Sequence, residues 1–163
     1  MDIQIFGNVY LLSLPNNLRS KNSSFFLRGA EKIVALVLII EDAALLRKMV
    51  QRILKPEGYR LLEAENGVKG LEMIRTHKPD CILLDLLMPE MDGRQVLKAL
   101  QTEALKVPTI VLTADIQEST RQECLELGAL TVLNKLPKPE ELSYWVKKAI
   151  GISTQESIYE SNI

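Results

Sequence analysis

Five polar residues stand at the ends of short apolar runs in this chain, and their placement constrains the fold more than any other feature. Glu41 and Asp42 close Val34-Ala35-Leu36-Val37-Leu38-Ile39-Ile40, and Asp85 closes Cys81-Ile82-Leu83-Leu84. Thr113 closes Thr109-Ile110-Val111-Leu112, and Lys135 closes Thr131-Val132-Leu133-Asn134. Apolar runs of this length, separated by helical spacings, predict buried parallel strands. In an open α/β sheet, groups at the carboxyl ends of the strands converge on one crevice. Three carboxylates, a hydroxyl and an ammonium would meet there. Hard oxygen ligands beside a cationic donor make a site for a divalent cation and a phosphoryl group.

Between the runs, apolar residues recur with helical periodicity. Leu45, Met49, Val50, Ile53 and Leu54 predict a first helix, ended by Pro56-Glu57-Gly58. Tyr59 to Ala64 reads as a second strand, and Asn66-Gly67 as a turn. Val68, Leu71 and Ile74 mark one face of a second helix that stops before Pro79, and Val96, Leu97 and Leu100 the inner face of a third. Asp115 to Leu127 predicts a fourth, stopped by Gly128. Leu142, Trp145, Val146, Ala149 and Ile150 line a fifth, with Gly151 as its end. Five strands alternating with five helices predict an α/β doubly wound parallel sheet.

The length of 163 residues fits one domain with tails. A net charge of −1 offers no electrostatic case for nucleic acid or anionic lipid as a direct partner. Cys81 lies in an apolar strand and Cys124 on an amphipathic helix, so both are expected as buried, reduced thiols, which suits a cytoplasmic protein. No apolar run is long enough to cross a bilayer, and Met1-Asp2-Ile3-Gln4 lacks the positive start of a signal peptide.

Residues 1–32 differ from the rest: all three phenylalanines (Phe6, Phe25, Phe26) lie there, whereas the following core is built from Leu, Ile and Val. That segment reads as an N-terminal extension, a flexible tail in preference to a docking arm, with residues 33–150 as the folded domain. Residues 151–163 read as a short polar tail, leaving no room for a further domain.

The chain resembles the receiver (response regulator) domains of two-component signalling. The resemblance rests on the acidic pair Glu41-Asp42, on Asp85-Leu86-Leu87-Met88-Pro89-Glu90-Met91-Asp92-Gly93, on Thr113-Ala114, and on Gly128-Ala129 followed by Lys135. It covers roughly residues 33 to 150 and implies a stand-alone receiver with a flavodoxin-like sheet of strand order 2-1-3-4-5. It further implies Asp85 as phospho-acceptor, with Thr113 and Lys135 on the phosphoryl oxygens. Mg2+ would be held by Glu41 (through water), Asp42, Asp85 and the Leu87 backbone carbonyl. The implied donor is a histidine kinase or histidine phosphotransfer protein, and the surface read by downstream partners is the fourth helix, fifth strand and fifth helix.

Two positions depart from the family pattern. Leu136 stands where proline usually follows the lysine, so a trans Lys135–Leu136 bond is expected, with any cis bond at Leu136–Pro137. Val132 stands where relatives carry a rotating aromatic, which rules out an aromatic flip at that position. Taken singly, each site residue has an ordinary structural explanation: Asp42 as a helix cap, Asp85 as a loop acid, Thr113 as a strand residue, Lys135 on the surface. Jointly, those explanations require chance to fill the carboxyl ends of all the right strands.

The reading is a phospho-accepting signalling protein with self-catalysed phosphorylation and dephosphorylation at most. An aspartate-nucleophile phosphatase is the enzymatic rival, but its general acid two residues after the nucleophile is Leu87 here. A phosphorylation-independent binding module of the same fold is the other. Deletion of residues 1 to about 30 is expected to leave folding and phosphorylation intact. A melting temperature far below that of the full chain, or recovery only as aggregate, would show the extension to be structural.

Overall fold

The protein is described by a computed structural model over residues 5–6, 9–10, 25–28, 31–115 and 117–160. In chain order the elements are β1 (Ile5–Phe6), β2 (Val9–Tyr10), β3 (Phe25–Arg28), β4 (Glu31–Val34), β5 (Leu36–Ile40), α1 (Ala44–Leu54), β6 (Arg60–Ala64), α2 (Gly67–His77), β7 (Cys81–Asp85), α3 (Gly93–Thr102), β8 (Thr109–Thr113), α4 (Glu118–Glu126), β9 (Thr131–Asn134) and α5 (Pro139–Glu160). β5 to β9 form one parallel sheet in the order β6-β5-β7-β8-β9, the expected 2-1-3-4-5. Within the stretch read as an extension, β1 pairs antiparallel with β2 and β3 with β4, and β4 runs through Ala35 directly into β5.

Burial on both faces explains the unbroken apolar runs. Every residue of β7 and β8 is buried. Alternate side chains point to opposite faces, and two cores result. Val37, Ile39, Leu83 and Ile110 pack on one face with Val50 and Leu54 of α1 and Leu142, Val146 and Ala149 of α5. Leu38, Ile40, Ile82, Leu84 and Val111 pack on the other with Leu71 and Ile74 of α2, Val96, Leu97 and Leu100 of α3, and Cys124 of α4. Helices on both faces bring the chain's reversal point to the carboxyl ends of β5 and β7, where a crevice opens. Both cysteines are buried and free. Among the described residues no helix is long and apolar enough to cross a membrane.

Several helical expectations change. Leu45 and Met49 point outward, 70% and 38% exposed, while Val50 and Leu54 carry the inner face of α1. At about 100° per residue, Leu45 lies roughly 140° from Val50 and 180° from Leu54, so spacing alone merged two faces into one. Val68, in the first turn of α2, is also exposed. α4 begins at Glu118, because the Asp115 carboxylate accepts from Gln117 N at 3.1 Å and Thr120 Oγ1 at 2.7 Å and holds a turn before the helix. α5 does not stop at Gly151 but runs to Glu160. A glycine ends a helix when it turns left-handed, as Gly128 does at φ 93; inside a helix it costs only about 1 kcal/mol against alanine.

The loop after β7 is pressed against its own strand. Gly93 N donates to Leu86 O at 3.0 Å, and a Cβ on Gly93 would collide with the carbonyl oxygen of Asp85 and lie 2.9 Å from Leu86 Cα. Gly93→Ala is therefore expected to cost about 1–3 kcal/mol by forcing backbone apart. Gly151→Ala meets nothing within 4 Å and should instead gain up to about 1 kcal/mol of helix propensity. Denaturant unfolding of the two variants tests the contrast, and equal effects would contradict it.

Candidate functional site

The ends of the strands are brought level by the register. Ile40 pairs with Leu84, Asp85 with Leu112, and Thr113 with Asn134. The ladder continues one step past the strands: Glu41 N donates to Ala64 O at 3.1 Å, and Lys135 N to Thr113 O at 2.8 Å. Glu41, Asp85 and Thr113 are buried, and Asp42 is exposed at the mouth. Glu41, Asp42 and Asp85 each present a carboxylate oxygen within 4.8 Å of the others.

The Lys135 ammonium binds two of these acids, at 2.7 Å from Glu41 Oε2 and 2.8 Å from Asp85 Oδ2. The second oxygens are held by backbone: Glu41 Oε1 accepts from Ala43 N at 3.1 Å, and Asp85 Oδ1 from Leu87 N at 3.2 Å. Asp85 Oδ2 is buried, and the Lys135 ammonium compensates its charge. Three carboxylates against one ammonium leave an excess of negative charge on hard oxygen donors, which fits a divalent cation such as Mg2+. Burial raises the Glu41 pKa, Lys135 pulls it back only in part, and the Asp85 charge adds to the rise. Burial would lower the Lys135 pKa, but its hydrogen bonds to Asp85 and Glu41 outweigh that and raise it.

Thr113 Oγ1 accepts from Asp115 N at 3.1 Å, which leaves its own proton to donate. Asp115 in turn holds Thr120 of α4, and Arg94 of α3 reaches Glu123 of α4 through Nε at 2.7 Å, with Nη2 3.5 Å from Thr120 Oγ1. The hydrogen bond from Thr120 and that from Gln117 N hold the Asp115 carboxyl below the usual range. Val132 is half-buried, and its carbonyl accepts from Arg121 Nη1 at 2.9 Å. The Lys135–Leu136 bond is cis, not the expected trans. His77, the last residue of α2, is exposed and lies outside the cluster.

All five residues thus lie at the carboxyl ends of β7 and β8 or just past those of β5 and β9, and Lys135 joins two of the three acids directly. Sequence reading missed Asp115, Thr120, Arg94 and Arg47. Polar residues in turns and on helices look alike until their partners are known. Arg47 alone carried a signal: it is a cation near the start of a helix, the end at which the macrodipole favours anions.

The family model described as response regulator receiver domain matches residues 37–147. The chain is 32% identical over 118 residues to sporulation initiation phosphotransferase F of Bacillus subtilis, covering 72% of this chain and 95% of that protein. It is 34% identical over 111 residues to the alkaline phosphatase synthesis transcriptional regulatory protein PhoP of the same organism, covering 68% of this chain and 46% of that one. It also superposes, at a TM-score of 0.67 and 26% identity, on a chain of the CheX-CheY-BeF3-Mg2+ complex of Borrelia burgdorferi, covering 70% of this chain and 87% of that one.

The raised Glu41 pKa gives a signed test on metal-free protein. The folded chain keeps the Glu41 proton to higher pH than the unfolded chain, so stability is lost as pH rises from the ordinary glutamate value through the raised one. Glu41→Gln removes that ionisation. The unfolding free energy of wild type minus that of Glu41→Gln should fall across this window and then level off. Denaturant melts in chelator at stepped pH read it out, and a constant or rising difference would contradict a desolvated Glu41.

Proposed function

This chain belongs to the response regulator receiver family, the phospho-accepting proteins of two-component signalling, and we propose that Asp85 is its acceptor. The observation that carries the assignment is the Lys135 ammonium shared between Asp85 and Glu41, with the Asp42 carboxylate within 4.8 Å. The donor is a phosphohistidine on a kinase or phosphotransfer protein. An Asp85 carboxylate oxygen attacks phosphorus in line, an O–P bond forms, and the P–N bond to the imidazole breaks. The released electron pair and a proton end on the donor ring. Glu41, Asp42, Asp85 and the Leu87 carbonyl would hold Mg2+, which supplies the positive charge that phosphoryl oxygens need.

Lys135 holds Asp85 in place before transfer, then binds a phosphoryl oxygen as a point charge. Thr113 donates its hydroxyl to another. A shift of Thr113 toward the phosphoryl group disturbs its bond from Asp115 N, and Asp115 is tied to α4 through Thr120. The change therefore reaches α4 by a polar route, without an aromatic at Val132. Resetting is by hydrolysis, with no catalysis of other substrates: Leu87 cannot act as a general acid.

Exposed apolar side chains follow the site residues closely in sequence: Leu45 after Asp42, Leu87 after Asp85 and Leu136 after Lys135. Such a rim suits a protein donor, consistent with partners that are proteins and not nucleic acid or membrane. Two buried free thiols suit the cytoplasm. Residues 33–150 carry this function, and the extension is not required for it.

Incubation with a small-molecule phosphodonor and Mg2+ should add one phosphoryl group, read by intact mass, and Asp85→Asn should abolish it. Labelling of Asp85→Asn equal to wild type would sink the assignment. Magnesium at a hundredfold excess over Kd should stabilise the wild type by about 2.7 kcal/mol, and Asp85→Asn less. No mass gain despite a magnesium shift would favour a phosphorylation-independent module.

A further inference from the structure

The acidic pair depends on a backbone conformation that its own side chains hold at one point, the bond from Ala43 N to Glu41 Oε1 at 3.1 Å. Glu41 and Asp42 sit between the last residue of β5 and the first turn of α1, and Ala43 at the helix cap has no side chain to bond the free N–H groups. Arg47, one turn into α1, reaches back over this segment. Its Nη1 donates to Glu41 O at 2.7 Å and to Asp42 O at 3.0 Å, and its Nε donates to Glu63 Oε2 at 3.0 Å. Glu63 lies on β6, opposite Ile39 of β5. One guanidinium therefore ties helix, loop and sheet together, with only 15% of its side chain exposed.

We infer that Arg47 is the positioning residue for the metal-binding pair: it clamps the Glu41 and Asp42 backbone so that their carboxylates converge with Asp85. The inference rests on the reading of that cluster as the Mg2+ site of a phospho-acceptor. Three features of the geometry support a role beyond packing. Arg47 binds the carbonyls of the two acids and leaves their carboxylates to the cation. A cation so near a helix N-terminus is disfavoured by the macrodipole, so α1 gains nothing from it as a helix. The contacts also need arginine: two hydrogens on Nη1 span successive carbonyls while Nε, fixed in the same plane, reaches a third acceptor. A lysine ammonium is one point and cannot make all three.

The experiment is a calorimetric Mg2+ titration of the full chain, paired with the Mg2+ dependence of phosphorylation by a small-molecule donor. Groups that orient metal ligands typically set affinity by about 10–100-fold, so Arg47→Lys should weaken Mg2+ binding by about tenfold and Arg47→Ala by more. Glu63→Gln, which weakens only the Nε contact, should shift affinity in the same direction by less. At saturating Mg2+ the phosphorylation rate of Arg47→Lys should return to near the wild-type value, because ligand placement and not the acceptor is impaired. A purely structural arginine would instead lower the melting temperature and leave the Mg2+ half-saturation point unchanged. Arg47→Lys keeps the test open if Arg47→Ala fails to fold. Wild-type Mg2+ affinity in Arg47→Lys, or a lowered maximal rate with unchanged Mg2+ dependence, overturns the inference alone. Absence of Mg2+ binding by the wild type overturns the site reading and the inference with it.

Discussion

Like charges brought together at one end of a sheet govern how the rest of this molecule is arranged. Glu41 and Asp85 are buried, where an ionised carboxylate is expensive unless compensated. The compensation is a single ammonium, Lys135, held 2.7 Å from one and 2.8 Å from the other. That ammonium cannot neutralise both acids and the neighbouring Asp42. The cluster is consequently a fold element under electrostatic load, and its remaining demand is for positive charge. A cation or an incoming phosphoryl group with its counter-ion would alter that balance directly, and a local charge change of that kind is enough to bias a two-state element.

Holding such a cluster requires a frame that does not yield. The strand ends are kept level by continuous parallel pairing, extended past the strands by the backbone bonds of Glu41 and Lys135. The loop that follows Asp85 closes so tightly on its own strand that Gly93 leaves no space for a side chain. Two separate apolar cores, one on each face of the sheet, fix the strands from both sides. The polar site thus costs stability at one end of a structure whose middle is almost wholly apolar. That division of labour is why the site residues fall at the ends of the runs and nowhere within them.

The same division explains what could be read from sequence. The runs and their closing residues specify the sheet because a buried parallel strand has no polar alternation to confuse it. Asp85, Asp42, Glu41, Thr113 and Lys135 were legible since each interrupts an apolar pattern at a point the topology makes special. Surfaces were less legible. Leu45 and Met49 share helical spacing with Val50 and Leu54 yet lie on another face, because period alone does not say which side meets the core. Gly151 carries a stop signal in sequence, yet α5 runs through it, since glycine stops a helix here only by turning left-handed. The cis Lys135–Leu136 bond had no local signal, since leucine does not favour it. Arg47, Arg94 and Thr120 act through partners 5 to 29 residues away in sequence, and such pairings exist only once the chain has folded.

These polar contacts between separate elements bear on how a charge change at Asp85 can be felt elsewhere. Packed apolar cores move little, so a local event travels where alternative hydrogen-bond partners exist. Val132 and the apolar neighbours of α4 offer no such choice. The Thr113 hydroxyl does: it accepts from Asp115 N and keeps its own proton free to find another acceptor. Asp115 stands between that choice and α4, bonded to Thr120 on one side and to the Gln117 N–H on the other. Arg94 then ties α4 to α3 through Glu123. The helix most exposed to the change is therefore anchored to the sheet's site end by hydrogen bonds more than by burial, since among its described residues only Thr120 and Cys124 are buried. An element held in that way can shift without breaking a core, and α4 is the element here whose anchoring begins at the site.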